Sequence, residues 1–165
     1  MRQILRQREL SADPWRYPGE PASAGGAGGP QVLTLPEWLL AAAGAATARG
    51  GVQIGPTDDV LQLAPSIERL DLVVVRFEKL GDGRGYTQGQ LLRQQLGFRR
   101  ELRAAGVVRR DMLFLLARCG FDSFDLDGCE EPATALAHLD RFSRAYQPSS
   151  DTLVRPRVKS WPESA

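Results

Sequence analysis

LVVVRF, residues 72–77, is apolar at every position except Arg76 and β-branched through its centre. A strand with one wet face alternates apolar and polar residues. An unbroken apolar run marks a strand covered on both faces, as in parallel sheets whose crossovers lie over them. The flanking sequence agrees. Upstream, DDVLQLAPSIERL at 58–70 reads as a helix capped by Thr57 or Asp58, with Pro65 as a kink or restart. Val52-Gln53-Ile54 is a short strand closed by Gly55-Pro56. LPEWLLAAA at 35–43 is a helix with Pro36 in its first turn, and Gly50-Gly51 ends that segment.

Downstream, GDGRGY at 81–86 is a glycine-rich turn, and TQGQLLRQQLG at 87–97 is the helix it feeds. ELRAA at 101–105 is a weaker strand. RRDMLFLLARCG at 109–120 is a helix with Asp111 near its start and Gly120 as its C′ glycine. Phe121 to Leu126 is a short strand. A last helix runs from Glu131-Pro132 to about Tyr146, with Ala135, Leu139, Phe142 and Tyr146 as its apolar stripe.

Strand and helix thus alternate about five times. This predicts an α/β fold of about five β–α units, with an open, mostly parallel sheet and helices on both faces. A half-barrel of the β/α type is the alternative. Residues 1–10 hold a short first strand around Ile4-Leu5. Residues 11–31 read as a flexible Gly/Pro-rich insertion, with Gly25-Gly26 and Gly28-Gly29 inside it. Residues 32–147 form a single α/β domain, and 148–165 read as a disordered tail.

The 165 residues carry 21 Lys+Arg against 20 Asp+Glu, a formal net charge of +1. That argues against a nucleic-acid binder working by bulk charge. The apolar runs fall far short of the roughly 20 residues of a membrane span, so no membrane partner is expected. MRQILRQREL has no apolar core of a signal peptide, which points to the cytoplasm. Two cysteines and one histidine exclude a four-cysteine zinc or cluster site, and no metal or cofactor is evident.

In open α/β sheets, ligands bind beyond the carboxyl ends of the strands. The connection after 72–77 is therefore the leading candidate. Gly81, Gly83 and Gly85 could bring backbone N–H groups to an anion, with Lys79 and Arg84 adding charge. The pattern is G-x-G-x-G, with Tyr86 where a third dinucleotide glycine would stand, and it lacks a G-K-[ST] ending. A tight strand-to-helix turn with solvated charges is the plain alternative.

All but two of the Lys+Arg residues are arginine. Arg84, Arg93, Arg99, Arg100, Arg103, Arg109, Arg110 and Arg118 crowd one segment. Asp122, Asp125, Asp127, Glu130 and Glu131 follow it without a base between them. Arg93 and Arg103 join the loop as candidates for anion or partner binding; solvated helix faces and local salt bridges are the simpler reading. Asp82, Tyr86 and Asp111 are the candidate catalytic groups, though their spacing specifies no reaction. Cys119, Cys129 and His138 read as structural or incidental.

The stretch FEKLGDGRGYTQGQLLRQQLGFRRELRAAG (77–106) with VVRRDMLFLLARCGFDSFDL (107–126) resembles the signature region of an uncharacterised bacterial family. LPEWL, GVQIGPTDD and FSRAYQ resemble it too, over roughly residues 33–147. Its members carry a domain of unknown function and are labelled oxidoreductases of sulfite reduction. The resemblance implies a role in assimilatory sulfate reduction, and no residue role is carried over from it. It implies an accessory protein in contact with sulfite reductase or its electron donor, because the chain has no cluster ligands and no dinucleotide or flavin motif. An anion-binding enzyme of sulfur assimilation and an interaction domain unrelated to sulfur are the alternatives.

Overall fold

The computed structural model describes residues 2–6, 9–20, 29–44, 49–126 and 134, 135 and 137. LVVVRF lies in the longest strand, β5 (Leu70–Phe77). Before it come β1 (Gln3–Arg6), β2 (Glu9–Ala12), β3 (Val32–Thr34), α1 (Leu35–Gly44) and β4 (Gly50–Ile54). After it come α2 (Arg84–Gln94), β6 (Glu101–Gly106), α3 (Leu113–Arg118) and β7 (Ser123–Phe124). One seven-stranded sheet runs β2-β1-β7-β6-β5-β4-β3. β3 through β7 pair in parallel, while β1 is antiparallel to β7 and to β2. Among the described residues the sheet is open, with β2 and β3 as its edges.

Local chemistry sets the element ends. At the start of α1 the Glu37 carboxylate reaches back, as in one half of a capping box, and accepts from the Thr34 N–H at 2.8 Å and from its hydroxyl at 2.7 Å. Val60–Arg69 is a 3-10 helix rather than an α-helix, with Pro65 inside it, which has no N–H to give. Its cap is Asp59, whose carboxylate accepts from the Leu61 N–H. Asp58 instead folds back to accept from the Gly55 N–H at 2.7 Å. Gly50 and Gly51 do not end a helix; they begin β4. Gly120 does take the left-handed φ of 100° expected at the end of α3.

Parallel strands in sequential order, joined by right-handed crossovers, place every crossover on the same side. The core shows this. Val52, Ile54, Val73, Val75, Phe77, Leu102 and Ala104 pack in one cluster with Trp38 of α1, Leu63 of the 3-10 helix, Leu92 of α2 and Leu116 of α3. Each of the valine, leucine, isoleucine and phenylalanine side chains among them contributes about 1.5–3 kcal/mol when fully buried. Leu72, Val74 and Ala105, on the opposite face, meet Tyr17, Val32 and Trp15. The described helices therefore cover one face, not both. One-sided helices and sequential strands are traits of the half-barrel alternative, although the β1–β2 hairpin ends the sheet rather than closing it.

The second face is covered by residues assigned from sequence to a flexible insertion. Asp13 and Tyr17 are buried, and Trp15 sits within 3.0 Å of where a Cβ on Gly51 would lie. Arg16 bridges to Gln31, through Arg16 N–H to the Pro30 carbonyl and Val32 N–H to the Arg16 carbonyl. Residues 11–20 are thus a packed cover. Residues 21–28, most of the expected last helix and the 148–165 tail lie outside the described residues. Among the described residues, no helix is long and apolar enough to cross a membrane.

Candidate functional site

The GDGRGY connection leaves the carboxyl end of β5, but it is closed on itself. Only Gly81 has a positive φ, 89°. Gly83 has φ −72°, and α2 begins at Arg84, so Gly85 and Tyr86 are helical. The Asp82 carboxylate accepts from the Arg84 N–H at 3.1 Å and from its guanidinium at 2.9 and 2.6 Å. These hydrogen bonds hold Asp82 down at a pKa of about 2. A carboxylate already stands where an anion would sit, and Arg84 is spent on it. Gly85 serves packing instead: a Cβ there would lie 2.6 Å from the Phe77 ring. Gly89, one turn on, does the same for Phe121 at 2.5 Å.

Two of the predicted binding arginines are structural. Arg93 is 1% exposed. It donates to the carbonyls of Gly120, Phe98 and Arg100, each at 2.8 Å, and to Asp122 at 2.9 Å. Asp122 also accepts from the Leu102 N–H at 2.9 Å. Burial pushes the Asp122 carboxyl up to about 6, against the pull of Arg93. Arg103 has no exposure. It donates to Asp13 at 2.8 Å, Glu101 at 2.5 Å, Ser123 at 3.2 Å and the Tyr17 hydroxyl. Burial opposes its charge, but Tyr17, Glu101 and Asp13 raise its pKa above the ordinary value. Burial likewise raises the Tyr17 phenol, against Arg103. Neither arginine can reach a partner.

Of the catalytic candidates, Asp82 is held by Arg84. Tyr86 stands edge-on to Phe77, with ring centroids 5.3 Å apart. Its pKa is raised, first by burial and then by Cys119 and Asp111, so the fold does bring Tyr86 and Asp111 into one electrostatic neighbourhood. Cys119 is buried and its Sγ lies 3.7 Å from the Gln90 amide nitrogen. Cys129 and His138 lie outside the described residues. Lys79 stays exposed just past β5.

The open space lies on the other face. A cleft of about 310 Å³ is lined by Arg2, Tyr17, Glu20, Gln53, Arg76 and Asp125, with Ala105 and Gly106 beside them. It sits at the carboxyl ends of β4, β5 and β6, where the strand rule places ligands. Arg2 pairs with Glu20 at 2.8 Å and Asp125 at 3.4 Å, and lies 4.4 Å over the Tyr17 ring. Arg76 is exposed, and its side chain makes no hydrogen bond or ion pair among the described residues. Sequence reasoning passed over Arg76, although it is the one charge in LVVVRF.

A family profile for a bacterial protein of unknown function, DUF934, matches residues 51–155. The chain belongs to this family. No curated protein matches it. The DUF934 match takes in β4 to β7, and so Gln53, Arg76 and Asp125 of the cleft. Arg2, Tyr17 and Glu20 come from the segment before it.

Proposed function

We propose that this DUF934 protein is a cytoplasmic accessory protein of assimilatory sulfite reduction, acting by contact with sulfite reductase or its electron donor. The link to sulfur rests on the resemblance of residues 77–126. The mode of action rests on one observation. Arg76, Lys79 and Arg109 are exposed at or just beyond the carboxyl ends of β5 and β6, and their side chains form no ion pair or hydrogen bond among the described residues. Arg93, Arg103 and Arg84 are taken up in internal pairs, whereas Arg76, Lys79 and Arg109 stand free at that end of the sheet to meet an acidic partner. Such docking speeds encounter and weakens with salt.

The enzyme alternative loses support from the loop, where Asp82 fills the anion position. The test is affinity capture from cells grown on sulfate, followed by binding of the identified protein to wild type and to a K79E/R109E double variant. The expected catch is sulfite reductase or its electron donor, bound less tightly at high ionic strength and at least tenfold less tightly by the variant. Capture of neither overturns the sulfur reading. Binding indifferent to salt and to both charge reversals overturns the electrostatic docking.

A further inference from the structure

We infer that the cleft on the helix-free face is a binding site for a small oxyanion, a group with two or more oxygens on one centre, and that Arg76 is its anchor. The charges of the cleft lead there. Arg2, Glu20 and Asp125 form a closed set, two carboxylates around one guanidinium. The Tyr17 hydroxyl is engaged by Arg103 beneath. Arg76 is the remaining cation: its side chain makes no hydrogen bond or ion pair among the described residues, and its charge balances the one by which the two carboxylates exceed Arg2. A guanidinium offers a planar fork of donors that matches two oxygens of a carboxylate, phosphate or sulfate group.

The sheet builds the space around that fork. Arg76 pairs in register with Ala105, and Phe77 with Gly106. The floor beside Arg76 is therefore a methyl group and a glycine. Gly106 has φ 93°, and a Cβ there would fall 2.4 Å from the Phe77 carbonyl oxygen, so no larger residue fits. On the other side, β4 carries Gln53 opposite Val74, one same-face position before Arg76. Its amide is free of hydrogen bonds among the described residues and can donate to the same anion. The far wall is fixed, because Tyr17 is held from below by Arg103 and capped by Arg2. A volume of about 310 Å³ is at the small end of ligand pockets, so the oxyanion is a small molecule or the head of one. The docking reading counts Arg76 among its cations too, but its test changes only Lys79 and Arg109, so the two readings fail separately.

The test uses the full chain with sodium phosphate, sulfate and malonate as probes, each compared with sodium chloride at equal ionic strength. Thermal shift and titration calorimetry give the readout. Expected is a saturable rise in Tm with at least one probe, following the logarithm of its concentration. Phosphate or sulfate ahead of malonate identifies a tetrahedral head group; the reverse identifies a carboxylate. Arg76→Ala should weaken binding at least tenfold, Arg76→Lys and Gln53→Ala less, and Arg109→Ala not at all. Because the Arg76 side chain makes no hydrogen bond or ion pair among the described residues, R76A should keep the unliganded Tm of wild type. If R76A lowers that Tm, amide shifts in wild type decide instead, with Gln53, Arg76 and Gly106 expected to move. No probe acting beyond chloride, an undiminished response in R76A, or shifts elsewhere would overturn the site.

Discussion

On one face of the sheet, Val73, Val75 and Phe77 meet the described helices, and the contact is mainly apolar, with the buried Arg93 guanidinium held at its margin by three carbonyls and Asp122. On the other face, Leu72 and Val74 meet little more than Trp15 and Tyr17, and the cover is tied down through charge. Asp13 and Tyr17 from the cover, and Glu101 and Ser123 from β6 and β7, converge on the Arg103 guanidinium. Burial on the helical face is spread over many side chains. The second face concentrates its hold in one ion. The comparison teaches where this molecule is brittle, and why its cleft lies on the side where the cover is thin.

The largest break in that comparison is Arg103→Ala. It leaves Asp13 a buried carboxylate without its cation and Glu101 with Arg6 alone, at 3.3 Å, and losing one partner of a buried pair costs about 3–5 kcal/mol. Chemical denaturation should show that loss, and hydrogen exchange should rise first over residues 9–17 while β5 and α2 stay protected. Equal deprotection of both faces would mean that the cover is not a separate unit. On the helical face, Gly89→Ala pushes a methyl to 2.5 Å from the Phe121 ring. Overpacking of that kind costs about 1–3 kcal/mol, and the denaturation midpoint should fall with the m-value unchanged.

Much of the helical face was legible in the sequence. LVVVRF declared a doubly covered strand, and the alternation of elements predicted the parallel sheet. The one-sided wrapping was not legible, because periodicity tells that a strand is covered but not by what. The glycines misled for a related reason. Gly81, Gly83 and Gly85 looked like an anion cradle, yet Gly85 and Gly89 lie one helical turn apart and make room for Phe77 and Phe121. The four-residue spacing carried that signal. Arg103 carried none: its partners Asp13 and Ser123 are distant in sequence, and only the fold brings them together.

A finer test concerns Asp122, which joins β6 to Arg93 on the helical side. Its folded pKa, about 6, stands above the ordinary 3.8, so the folded state binds the proton more tightly than the unfolded chain. Stability should therefore decline as pH rises from 3.8 to about 6 and level off above, for this group's share. The carboxylate is a quarter exposed, which tempers the effect. A carbon-detected titration of Asp122 should centre near 6; a midpoint near 4 would mean that Arg93 outweighs burial. The smallest effect belongs to Asp82→Ala. The Asp82–Arg84 pair is at the surface, so its loss should leave the thermal denaturation midpoint almost unchanged. A cost like that of R103A would show that the loop is more than a turn.

The pairing of Leu5 with Phe124 has a consequence in time. β1 and β2 are made before the other described strands, but the hairpin joins the sheet through β7, the last of them. Closing so long a loop is entropically costly and slow. During synthesis the hairpin, and the cover that hangs from it, must wait with its apolar residues exposed until residue 124 has left the ribosome. Strands β3 to β6 can assemble meanwhile, each beside the one before it. The nascent protein therefore passes through a stage with its helical face formed and its cleft face bare, the stage at which it most needs protection from aggregation.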